Sequence, residues 1–134
     1  MRKIVTWTLL LGMLTLVHIP ADEFKPLTPA EAIKKVNEKI TVFMVVKASK
    51  NRLEKRGEIY LDSEQDFRDE KNLAIVITKA GAPRFKEAGV NDPATHFKGK
   101  TIQVQGTVIM KENRPRIEVD DPKQIKIVEK EKKR

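Results

Sequence analysis

The stretch from Lys100 to Lys111 restricts what this chain can become more than any other. Ile102, Val104, Val108 and Met110 share one face, and Gly106 interrupts them. Apolar residues at every second position are the signature of a half-buried strand. A glycine inside such a strand marks a bulge or a sharp bend. Small barrels use that device to turn a corner.

The other apolar runs are strands of the same kind. Lys39 to Ala48 predicts a first strand, with Ile40, Val42, Met44 and Val46 on one side. Its other side, Thr41, Phe43, Val45 and Lys47, is partly apolar, so packing on both faces is expected for part of its length. Glu58 to Asp62 predicts a second strand, with Ile59 and Leu61 inward and Tyr60 outward, hairpinned to the first across a basic loop. Leu73 to Thr78 predicts a third, and Arg116 to Asp120 a fifth after a turn at Glu112 to Pro115. Ile125 and Ile127 add a short final strand.

Helical signals are few. Thr28-Pro29-Ala30-Glu31 combines an N-cap, a proline for the first turn and a capping-box acid. The predicted helix runs from 28 to about Asn37, with Ala32, Ile33 and Val36 as its apolar face. It is short enough that it must dock to persist. Lys79 to Gly89 predicts a turn and a short helix around Phe85, and Asp92-Pro93 opens another turn ending at Phe97.

The chain of 134 residues is long enough for one domain. Residues 1–21 read as a secretory signal peptide. Arg2 and Lys3 precede an uncharged apolar run from Ile4 to Val17, and Ala21 offers a small residue before the cut. The run is shorter than the roughly 20 residues a membrane helix needs. Ile19 is not the small residue expected three places before cleavage, so an uncleaved anchor is the alternative. Either way the domain is expected outside the cytoplasm, periplasmic or secreted, with no stable membrane insertion once the signal is cut. Residues 22–27 read as a tether, 28–128 as the folded domain and 129–134 as a charged flexible tail. The absence of cysteine excludes disulfides, thiolate metal sites and cysteine nucleophiles.

Three strands, a helical connection and two more strands leave an OB arrangement in competition with other small barrels. Phe97-Lys98-Gly99-Lys100-Thr101-Ile102-Gln103-Val104-Gln105-Gly106 resembles the start of the fourth strand in bacterial OB-type nucleic-acid-binding domains. Arg114-Pro115-Arg116-Ile117-Glu118-Val119-Asp120 is similar to their last strand, and Thr28 to Ala32 to their leading helix. The resemblance, over residues 28 to 128, implies a mainly β, five-stranded OB-type Greek-key barrel. It would carry an N-terminal helix and a short helix between strands 3 and 4. It also implies an exported binding protein, acting as a monomer.

OB domains bind on the face of strands 2 and 3, between the loops joining strands 1–2 and 4–5. Both loops are basic here. From Lys47 to Gly57 five bases stand against Glu54, and from Lys111 to Arg116 three stand against Glu112. The candidate ligand-binding residues are therefore Lys50, Arg52, Lys55, Arg56, Arg114 and Arg116, with Tyr60 to stack one base. Single-stranded nucleic acid or another polyanion is the expected partner. Solvated hairpin tips would show the same charges, and the aromatic-poor face keeps a protein or small-ligand partner open.

Enzymatic chemistry finds little support. His96 is the one histidine beyond the leader and reads as a turn residue. Asp62-x-Glu64-x-Asp66 begins like a calcium loop, but its sixth position is Phe67 and its twelfth Leu73, where glycine and glutamate are needed. Some OB barrels are secreted nucleases using arginines and carboxylates around calcium, a motif that Arg52, Arg114 and this loop do not complete. No catalytic residue, metal or cofactor is expected.

Overall fold

The computed structural model describes residues 25–129. The segment read as a signal peptide, the first half of the tether and all of the tail beyond Glu129 lie outside the described residues. The elements are α1 (Pro29–Ala32), β1 (Lys39–Val45), β2 (Ala48–Arg52), α2 (Leu53–Arg56), β3 (Glu58–Asp62) and β4 (Ala74–Ile77). Then come α3 (Ala82–Glu87), α4 (Pro93–Phe97), β5 (Thr101–Lys111), β6 (Arg114–Val119), a 3-10 turn (Pro122–Gln124) and β7 (Ile125–Ile127).

The strands form one seven-stranded sheet in the order β1-β5-β6-β4-β3-β2, with β7 on β5. Every pairing is antiparallel except β4 with β6. The two ends of that path, β1 and β2, are separated in the chain only by Val46 and Lys47. The expected first strand thus stops at Val45, and its expected hairpin with Glu58–Asp62 is made instead by β2. Val46 N–H donates to the Lys100 carbonyl and Lys47 N–H to Asp62, so the chain changes partner at that point.

The inward alternation holds except at Met110, expected on the inward face of β5, which is 48% exposed near the end of the strand. Val42, Met44, Val46, Ile59, Leu61, Ile102, Val104, Val108, Ile117 and Val119 are all buried in one core with Phe85 and Phe97, whose rings meet edge to face at 6.3 Å. Packing on both faces of β1 does not hold. Phe43 and Val45 are exposed.

Gly106 sits where β5 passes from β1 to β6. A Cβ there would stand 2.6 Å from Ile117 Cγ2, so close approach of two strands demands the glycine. The backbone stays in register with β1 through Thr107 and with β6 from Val108.

Three boundaries differ from expectation. The leading helix ends at Ala32, not near Asn37. Its capping box forms as read, with Thr28 Oγ1 accepting from Glu31 N–H and Glu31 Oε1 from Thr28 N–H. Such a cap contributes about 1 kcal/mol, too little to hold further turns against a sheet. Val36 bridges to Val108, and Asn37 N–H donates to the Val108 carbonyl from a left-handed φ of 72°. The β5–β6 turn is only Glu112 and Asn113, with φ of 54° and 67°. These angles make a two-residue hairpin whose twist matches the strands, so β6 already begins at Arg114. Finally, the basic loop is a strand and a helical turn. Asn51 Oδ1 accepts from Leu53 N–H while Asn51 Nδ2 donates to Asp92 Oδ1, pinning the start of α2 to the start of α4. At the other end of the chain, Leu27, expected in the tether, bonds β1 on both sides of Val42.

Candidate functional site

Residues directly opposite across a ladder share a face. The registers therefore place Lys50, Tyr60, Val76 and Glu118 in one row on the side away from the core. Arg52 and Glu58 form the next row toward α2. Asp62, Ala74 and Arg116 form the next row the other way. Val76 is fully buried yet lies outside the inner core, so this outer row shields an apolar residue of its own.

The centre of the face is an ion-pair network. Arg116 Nη1 donates to Glu58 Oε2 at 3.0 Å and to Glu118 Oε2 at 3.3 Å, with only 13% of the arginine side chain exposed. Tyr60 Oη donates to Glu58 Oε1. Burial pushes the Glu58 carboxyl up, but the bonds from Tyr60 and Arg116 outweigh it and hold it below the usual carboxylate range. Burial and the bond to Glu58 together raise Tyr60. Asp62, at the edge of the face, is pushed up by burial against the opposing pull of Asn72 and Lys50.

The two basic rims stand at opposite ends of this face. The α2 end carries Lys50, Arg52, Lys55 and Arg56, and none of them forms an ion pair among the described residues. Gly57 ends α2 at φ 73°, a left-handed stop that glycine adopts without strain. The Lys79 side chain packs over it, 3.6 Å from where a Cβ would be. Lys79 is thus a further cation at this end, brought there by the fold from a segment that reads as an ordinary turn.

The β5–β6 end is different. Arg114 Nη1 donates to the Phe67 carbonyl at 3.1 Å, and its guanidinium lies 5.0 Å from the Phe67 ring centre. Phe67 belongs to the acidic loop and is 54% exposed. Arg68 approaches the ring at 5.8 Å and pairs with Asp66 at 3.0 Å. The Asp66 carboxyl is held below its ordinary value mainly by the hydrogen bond from Arg68. The loop closes on a buried knot: Asn72 Nδ2 donates to Asp62 Oδ1, and Ser63 Oγ accepts from Leu73 N–H.

Of the seven residues expected from sequence, Lys50 and Tyr60 are direct neighbours, and Arg52, Lys55 and Arg56 share the α2 end. Arg116 is joined to Tyr60 through Glu58, and Arg114 stands apart, at the far end. Sequence reasoning missed Glu58, Lys79 and Phe67. Phe67 entered it only as the residue that spoils a calcium loop. Among the described residues no cluster of His, Asp and Glu could hold a metal. His96 is exposed in α4, with its ring edge-on to Phe97.

No family model and no curated protein matches the sequence. Solved structures do. Asparaginyl-tRNA synthetase from Pyrococcus horikoshii is similar at TM-score 0.52 and 14% identity, over 78% of this chain and 23% of the synthetase. An OBody bound to hen egg-white lysozyme is similar at TM-score 0.52 and 14% identity, over 86% of this chain and all of the OBody. The chain thus spans less than a quarter of that synthetase. At these identities the likeness concerns the fold: a mainly β domain of OB-like type.

Proposed function

We propose that this is an exported, non-enzymatic OB-type binding protein that engages single-stranded nucleic acid, or another polyanion, through the α2 end of its outer face. The observation that carries the reading is the set of cations there, Lys50, Arg52, Lys55 and Arg56, none in an ion pair among the described residues, beside a tyrosine on the sheet. Phosphates bind such cations by releasing counterions, and an aromatic ring accepts a base of any sequence. Fold likeness to a synthetase named for its tRNA adds support. In this reading β1 and β2 act as one bent strand, which joins the ends of the sheet into a five-stranded Greek-key barrel. The leader delivers the domain outside the cytoplasm, where it acts as a monomer.

Binding of a single-stranded oligonucleotide tests the proposal. Four phosphate contacts give a slope of log affinity against log salt of about −3. No binding at low salt sinks it. A protein partner is the second reading, favoured because an OBody of this fold is bound to lysozyme. Recovery of one protein and no nucleic acid from an extracytoplasmic extract would favour that reading.

A further inference from the structure

The acidic loop holds the most exposed large apolar side chain among the described residues, Phe67. An exposed phenyl ring in a loop loses contact area unless something covers it, and here the cover is a cation. Arg114 fixes the loop through the Phe67 carbonyl and sets its guanidinium against the ring. The ring borders an open groove of about 660 Å³ lined by Ile33, Val36, Met110 and Pro115 together with the acids Asp69, Glu70 and Glu112. Met110 is 48% exposed.

Resting on the binding reading above, we infer that Phe67 and Arg114 form a second nucleotide subsite, at the far end of the outer face from α2. A base of the bound strand stacks on Phe67 over the groove, and its phosphate takes the Arg114 side. Asp69, Glu70 and Glu112 also line the groove, so the phosphate keeps to the Arg114 side of the ring. The Asp66 carboxylate is paired with Arg68, and Asp69 Oδ1 is turned back onto Lys71 N–H. Arg114 itself faces no carboxylate within ion-pair distance among the described residues. Between the two ends, Glu58 and Glu118 already hold Arg116. Phosphates are therefore gripped at the ends of the face and not at its centre.

The test compares wild type, Phe67→Ala, Phe67→Leu and the Arg52→Glu/Arg56→Glu pair. The probes are a single-stranded oligonucleotide of about ten nucleotides, within the range of OB sites, and a base-free polyphosphate. Both Phe67 variants should bind the oligonucleotide about tenfold more weakly. Polyphosphate affinity and the salt slope should not change. The leucine keeps apolar bulk while removing the aromatic face, so its loss reports stacking. Oligonucleotide affinity unchanged in the Phe67 variants, with binding abolished by the arginine reversals, overturns the subsite and leaves the binding reading standing. An equal loss for both probes overturns stacking in favour of a structural role. A wild type that binds neither probe at low salt overturns the binding reading, and the subsite with it.

Discussion

The two ends of the outer face are built from similar residues and use them in opposite ways. At the α2 end, Arg52 at the end of β2 and Lys55 and Arg56 in α2 have no ion-pair partner among the described residues. At the β5–β6 end, Arg114 tethers the acidic loop, and Arg116 is nearly buried between Glu58 and Glu118. Both segments look equally basic as strings of letters. What separates them is whether the fold returns a carboxylate or a carbonyl to each cation. Arg116, held between two carboxylates, offers little to a ligand, because a new partner must first break those pairs, whereas Arg114 is bonded only to a neutral carbonyl and keeps its charge for a partner.

The largest effect expected from this contrast comes from the α2 end. Reversing Arg52 and Arg56 to glutamate should lower oligonucleotide affinity about a hundredfold at low salt and flatten the salt slope. Thermal stability should stay within about 0.5 kcal/mol, as for other surface changes. Titration by fluorescence anisotropy and a melting curve check both halves. Arg116→Ala should do the reverse: it strands the half-buried Glu58 and costs about 2 kcal/mol of stability. Its direct effect on binding should be smaller than that of the reversals. If Arg116→Ala abolishes binding while the fold stays intact by denaturant unfolding, the contrast between the two ends is wrong.

Asn113→Ala is a milder probe of the second end. The left-handed φ of this residue should cost alanine about 1 kcal/mol and loosen the turn that carries Arg114. The smallest effect is a pH dependence. Glu58 has a lowered folded pKa, so its contribution is fully present above the ordinary glutamate value and is lost as pH falls through the folded value. Asp62 has a raised one, so its carboxylate costs stability as pH rises from its ordinary value through the folded one. Glu58→Gln should shrink the loss of stability on acidification, and Asp62→Asn should remove the decline on the alkaline side of that window. Denaturant midpoints across the acid range separate the two.

The strands were legible because alternation reports burial directly, and each inward residue from Val42 to Val119 is decided by its own neighbours in sequence. Helical turns resting on remote contacts were not. α2 depends on Asn51 meeting Asp92, 41 residues away, and α1 yields to a bridge between Val36 and Val108. The candidate site shows the same division. Lys50 and Tyr60 could be placed on one face by hairpin logic alone. The pairing of Arg116 with Glu58, 58 residues apart, follows from β4 lying between β3 and β6, an order no local pattern encodes.

One strand has a bearing on the life of the chain before it is folded. β5 alone joins three ladders, with β1, β6 and β7. β1 emerges early in synthesis but has no long ladder to enter until β5 follows, some sixty positions later. Pairing at such separation is slow, because the intervening loop must close first. β2, β3 and β4 can pair with one another first, but β1 waits for its long ladder until the last third of the chain arrives.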